Sequence, residues 1–263
     1  MQVTGGSPVK GRASGRACGH APSLGQARGK YVRRRWTRAE GDGWVDGILR
    51  SGDRICFLGD SITQADPGYT RLTAALLTAG RPELALSFVY AGVGGNRVGD
   101  LLARLDRDVL ASGATVVTVS IGVNDVWHRH SGASGGTDDD AFALGYRSLL
   151  SRLVQAGIRP VVLTPTVVHE DPQAVENREL AVLVAGQRRI AAETGLPVCD
   201  LNAAFLAALA SRRSALAQTD WPLGPDGRTR FFTTDGVHLN PAGNALAALH
   251  LLACLGGPRP AAP

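Results

Sequence analysis

The 263-residue sequence predicts an α/β protein: a three-layer α/β/α sandwich built on a parallel sheet. Short apolar runs recur after residue 50, and they alternate with longer helical stretches. The runs are apolar almost throughout rather than at every second position, as in strands covered on both faces. Alternation of strand and helix then calls for crossover connections within one sheet. The length suits one domain, and no shift in composition after residue 50 divides it.

The first strand is expected at Arg54-Ile55-Cys56-Phe57-Leu58, with a helix over about 68–79 after it. A second strand is expected from Leu84 to Tyr90, followed by a helix over 98–111. Thr115 to Ile121 reads as the third strand, and 139–156 as the helix behind it. Pro160 to Leu163 and Pro197 to Leu201 complete the strands, with a helix over 174–194 between them. Helices over 202–217 and 241–255 close the chain. The apolar stretch from Ala245 to Cys254 is too short for a bilayer and is interrupted by His250, so it is expected to pack on the sheet.

Nine of the 28 Lys and Arg residues, but one of the 23 Asp and Glu residues, fall in the first forty positions, leaving −3 on the rest. The basic pI therefore describes the tail. Residues 1–45 are rich in Gly, Ala, Ser and Arg and hold few large apolar side chains. They read as a disordered basic extension, ahead of one folded domain at 46–258. The arginine cluster lacks interleaved aromatics, and no nucleic-acid partner is expected. Arg33-Arg34-Arg35-Trp36 is followed by Thr, Arg, Ala, Glu and Gly instead of an apolar run, which does not read as an export signal. Cys18, Cys56, Cys199 and Cys254 are widely separated and suggest neither disulfide nor metal knuckle, so a cytoplasmic location is expected.

Four polar blocks interrupt the pattern: Gly59-Asp60-Ser61, Gly94-Gly95-Asn96, Gly122-Val123-Asn124-Asp125 and Asp235-Gly236-Val237-His238. Singly, each has an ordinary explanation as a helix cap or a turn. Together they contain the parts of a serine esterase. A hydroxyl nucleophile needs a base, an acid that holds the base in one tautomer, and donors aimed at the oxyanion. Ser61, His238 and Asp235 fill the first three roles, and the N–H groups of Ser61 and Gly95 with the Asn124 amide fill the last. The first three blocks follow strands directly, which brings them to one rim of the sheet. Three-residue spacing lets Asp235 reach the imidazole of His238 locally.

These blocks, read as Phe57-Leu58-Gly59-Asp60-Ser61-Ile62-Thr63, Ala91-Gly92-Val93-Gly94-Gly95-Asn96-Arg97, Ile121-Gly122-Val123-Asn124-Asp125 and Asp235-Gly236-Val237-His238-Leu239, resemble the SGNH, or GDSL, hydrolases over residues 52–256. The resemblance implies a flavodoxin-like sheet of five parallel strands, with Ser61 as nucleophile, Gly95 and Asn124 as oxyanion donors, and His238 as base beside Asp235. It implies no cofactor. Tyr90 departs from the Asn that relatives commonly carry there. The spelling after the glycines and around Asn124 is similar to bacterial lipolytic proteins and carbohydrate acetylesterases. A small ester is the expected partner, with short acetyl-type acyl groups favoured and an acetylated carbohydrate as one form.

Asp60, Trp127 and Arg97 are candidate pocket residues. His128, His130 and His169 lack a convincing further ligand, and no metal is assigned. Gly92-Val93-Gly94 opens like a dinucleotide-binding turn, but Arg97 stands where the third glycine belongs. A lysophospholipase or thioesterase, or a non-catalytic binding protein, is the alternative. Specificity is expected from loops 126–140, 165–176 and 218–234, with Pro172, Trp221, Pro222, Phe231 and Phe232 forming a partly apolar wall.

Overall fold

The computed structural model describes residues 48–132 and 135–256; the predicted extension, 1–45, lies outside the described residues. Five parallel strands form one sheet in the order β2-β1-β3-β4-β5. They are β1 (Arg54–Gly59), β2 (Ser87–Gly92), β3 (Val116–Ser120), β4 (Arg159–Leu163) and β5 (Val198–Cys199). Helices fill the connections: α1 (Ser61–Gln64), α2 (Tyr69–Gly80), α3 (Val98–Asp108), α4 (Val123–His130), α5 (Asp139–Gln155), α6 (Val175–Thr194), α7 (Leu201–Ala215) and α8 (Pro241–Cys254). Helices α2, α8 and α7 pack in series, as do α3, α5, α6 and α4. This is the expected three-layer arrangement with flavodoxin-like strand order.

Burial explains which strands were easy to read. Every residue of β3 is buried, as is Ile55-Cys56-Phe57-Leu58 of β1, because both faces of these central strands are covered. Burial also pushes the Cys56 thiol up to about 12. The edge strand β2 pairs with β1 alone and is half exposed. It begins three residues later than expected, because Pro82–Leu84 forms a 3-10 turn ending at Ala85 in the left-handed region, φ 46°. Helix α4 was not expected. Its sequence VNDVWHRH is mostly polar, and its N-cap, Gly122, supplies no side chain, but Val123, Asn124, Asp125 and Val126 are buried against the body of the fold. Tertiary packing outweighs weak local propensity there.

From β1 the chain moves outward to β2, then crosses back over β1 to β3. The connections therefore diverge between the ends of β1 and β3, the position at which sheets of this type open a ligand crevice. Ser61 follows β1, and Asn124 follows β3.

Candidate active site

Ser61 is the first residue of α1, two residues beyond Gly59, the last residue of β1. A glycine is required at 59, since a Cβ there would lie 2.1 Å from Thr63 Oγ1 and 2.6 Å from Ser120 O. The same holds at Gly92, where a Cβ would meet Gln64 N at 2.3 Å, so this glycine answers to a backbone contact. The tight seat of α1 on β1 and β2 turns Ser61 toward the crevice.

The second block is tied to the first. Val93 N–H donates to Gly59 O at 3.1 Å, and Gly94 N–H to Gln64 Oε1 at 2.8 Å. A Cβ at Gly94 would lie 3.9 Å from that of Ser61, which places the glycine turn beside the hydroxyl. Gly95 adopts φ +75°, and among the described residues neither its N–H nor that of Ser61 has an acceptor. Asn124 joins the third block to the second by donating one amide hydrogen to Asn96 O at 3.0 Å. Val98 N–H donates to Asp125 Oδ1 at 3.2 Å. Arg104, buried, gathers this corner by donating to Asn96 Oδ1, Gly59 O, Ala91 O and Asp108, at 2.7, 2.8, 2.8 and 2.8 Å. Neither Gln64 nor Arg104 stood out in the sequence; both lie at helical positions where a solvated side chain is the ordinary expectation.

The fourth block arrives from 177 residues away. His238 Nε2 stands 3.0 Å from Ser61 Oγ, and its Nδ1 stands 2.7 Å from Asp235 Oδ2. Asp235 Oδ1 also accepts from the N–H groups of Val237 and His238 at 2.9 and 2.8 Å. Partial burial raises the Asp235 pKa, but the imidazole and these two N–H groups outweigh it and hold the carboxyl below its usual range. Asp235 does not cap the following helix; Asn240 does, accepting from Gly243 N.

The weaker pocket candidates have other surroundings. Asp60 is 2 % exposed and caps α1 through Ile62 N at 3.0 Å, so it is closed off from a substrate. Burial, aided by the Asp125 charge, pushes its carboxyl up to about 7. Arg97 opens α3, and its guanidinium donates to Gly135 O at 2.6 Å. Trp127 packs against the core and meets the ring of His128 at 5.8 Å. Phe231 and Phe232 belong to the core, at 6 and 9 % exposure, and do not make an open wall. Trp221 does line a cavity of about 610 Å³, between the segment after β4 and residues 213–229, shared with His169, Glu176, Arg213 and Arg228.

Residues 57–246 match the GDSL-like lipase/acylhydrolase family. An acetylxylan esterase of Geobacillus stearothermophilus is 31% identical over 176 residues, 60% of this chain and 80% of that protein. A crystal structure of acetylxylan esterase from the same organism superposes with TM-score 0.69 at 27% identity, covering 81% of this chain and 99% of the other. The acetyl xylan esterase AlAXEase gives TM-score 0.68 at 30% identity, covering 77% and 99%. With four motif blocks converging at one crevice and likeness across both sequence and fold, this chain belongs to the GDSL-like lipase/acylhydrolase family and is a hydrolase of ester bonds.

Proposed function

We propose that this serine esterase removes acetyl groups from carbohydrate, with Ser61 as nucleophile, His238 as general base and Asp235 as the acid that orients it. The observation that carries the reading is the continuous chain from Ser61 Oγ through the His238 ring to Asp235, with links of 3.0 and 2.7 Å. A proton on Nδ1 bound to Asp235 leaves the Nε2 lone pair facing the hydroxyl. Ser61 Oγ attacks the ester carbonyl as Nε2 takes its proton, and the N–H groups of Ser61 and Gly95 with the second amide hydrogen of Asn124 receive the oxyanion. His238 returns the proton to the departing sugar oxygen. Water then attacks the acetyl-enzyme, its proton passing to the same nitrogen, and acetate leaves.

The acetyl-carbohydrate assignment draws on the names of the relatives. A cytoplasmic location belongs to the same reading, supported by the free thiols of Cys56, Cys199 and Cys254. Among the described residues, no helix is long and apolar enough to cross a membrane.

The test compares hydrolysis of 4-nitrophenyl acetate, 4-nitrophenyl palmitate and acetylated xylo-oligosaccharides by the parent and by Ser61→Ala. Acetate and the acetylated sugars are expected to turn over by a ping-pong course, palmitate poorly, and the variant at least about a thousandfold more slowly. Undiminished turnover by folded Ser61→Ala removes the nucleophile assignment, and faster cleavage of palmitate removes the acetyl assignment.

A further inference from the structure

The two partners in the proposed proton transfer are mounted very differently. Ser61 sits between a central strand and a helix, whereas Asp235 and His238 lie in a stretch, 221–240, that contains only turns and two isolated bridges, Leu223 with Thr229 and Thr233 with Leu239. Their side chains are about half exposed, at 55 and 43 %, so burial does little to hold them. A hydrogen bond of 3.0 Å between Ser61 and His238 requires the loop to be held by something else.

The holder is the segment after β4. Val167, Val168 and Glu170 are all at most 1 % exposed, and the segment is itself fixed from two helices. Asn177 of α6 accepts from Val168 N at 2.9 Å and donates to Val168 O and Asp171 O at 2.6 and 2.7 Å. Asn202 of α7 donates to Thr166 O at 2.7 Å. From this anchored base, the Glu170 carboxylate reaches across to the 231–233 backbone. Its Oε2 accepts from Phe231 N–H at 2.6 Å, and its Oε1 accepts from Phe232 N–H, Thr233 N–H and the Thr233 hydroxyl at 2.7, 2.7 and 2.8 Å. Among the described residues, no cation pairs with this carboxylate, so its charge is spent on three successive backbone donors that end two residues before Asp235. The next residue back, His169, adds a second hold. It adopts φ +52°, in the left-handed region that residues with a side chain seldom enter. Its N–H donates to Gly236 O at 2.6 Å, and its ring closes over Gly236 so that a Cβ there would lie 2.4 Å from Nδ1. Gly236 lies between Asp235 and His238.

We propose that Glu170 is the positioning residue of the reaction: its carboxylate, backed by His169 on Gly236, sets the register of the Asp235–His238 loop against Ser61. This rests on the triad proposed above. Glu170 touches no reacting atom and acts through the backbone of 231–233.

Glu170→Gln tests it, because the amide keeps the shape but turns one acceptor into a donor against the backbone N–H groups. The measurements are kcat and KM for 4-nitrophenyl acetate, the rate at which a phosphonate ester inactivates Ser61, and circular dichroism at the assay temperature. The expected result is a folded protein with KM within about twofold, kcat lower by roughly 30-fold, and phosphonate inactivation slowed in parallel, since about 1 Å of misplacement costs rates of this order. A merely structural role would lower the melting temperature but leave kcat per folded molecule and the inactivation rate unchanged. That result would overturn the proposal. Thr233→Val removes only the hydroxyl donor and decides the matter if Glu170→Gln fails to fold: kcat is expected to fall about threefold to tenfold at unchanged KM, and an unchanged kcat overturns the proposal. Activity surviving in Ser61→Ala would instead refute the triad, whatever the Glu170 variant does.

Discussion

Asp60 precedes the proposed nucleophile and is nearly sealed from water, so its carboxyl is pushed up to about 7, chiefly by burial. Such a group costs stability when ionised in the folded state. The cost is absent at pH values where the unfolded chain also holds the proton, grows as pH rises from about 4 to 7, and is constant above that. Asp60→Asn keeps the acceptor for Ile62 N and cannot ionise. The difference in urea-unfolding free energy between variant and parent should therefore shift in favour of the variant by about 1.4 kcal/mol per unit of pH over that window. A difference that stays flat from pH 4 to 8 would mean that Asp60 ionises normally. Asn124 is read in the opposite way, through turnover. Losing an oxyanion donor costs about 3 kcal/mol of transition-state stabilisation, so Asn124→Ala should lower kcat roughly a hundredfold with KM little changed. An unaltered kcat in a folded variant would take Asn124 out of the mechanism. Both residues stood out in the sequence because their blocks are local, but only the structure separates them: one caps a helix out of reach of substrate, and the other keeps an amide hydrogen beside the glycine turn.

Helix α1 has four residues, too few to hold together alone, and its geometry comes from the strand ends beneath it. Gly59 was conspicuous as part of a motif. Gly92 was conspicuous for a different reason, because Gly92-Val93-Gly94 opens like a dinucleotide-binding turn, while its actual duty is to let β2 pass under the backbone of Gln64. Gly92→Ala should push α1 off its seat, cost about 1–3 kcal/mol by overpacking and lower kcat by more than tenfold as Ser61 shifts. Gly99, on α3, has nothing within 4 Å of a Cβ, and Gly99→Ala should instead gain about 0.5–1 kcal/mol with activity unchanged. Thermal melts and acetate-ester rates for the two variants settle whether steric fit or mere loss of a glycine is responsible. What was readable at this level followed burial. Strands β1, β3 and β4 are apolar on both faces and lay where expected, while β2 is an edge and α4 is polar, so neither left a clean signal.

The strand order places Ser61 and Asn124 on either side of the point where connections diverge, and that much follows from the alternation of strands and helices along the chain. What does not follow is how the fourth block comes back to it. A lone Glu170 between His169 and Asp171 looks like any loop acid, and its four hydrogen bonds to residues 231–233 exist only once the chain has folded. The start of the folded unit is set in the same non-local way. Asp53, 4 % exposed, accepts from Arg50 N at 2.6 Å and Thr115 Oγ1 at 2.7 Å and pairs with Arg159, which in turn donates to Ile48 O at 2.5 Å. Ile48 and Leu49 pack on the core. We therefore propose that the unit needed for folding and turnover begins at about residue 46. A chain starting there should match the full chain in kcat/KM within about twofold and melt within about 2 °C of it. A chain starting at Arg54 loses the Asp53 network and two partly buried side chains that pack on the core, about 3 kcal/mol, and should melt roughly 5–10 °C lower. If the cut at 46 already lowers the melting point by as much as the cut at 54, the arginine-rich segment is part of the folded unit rather than an extension ahead of it.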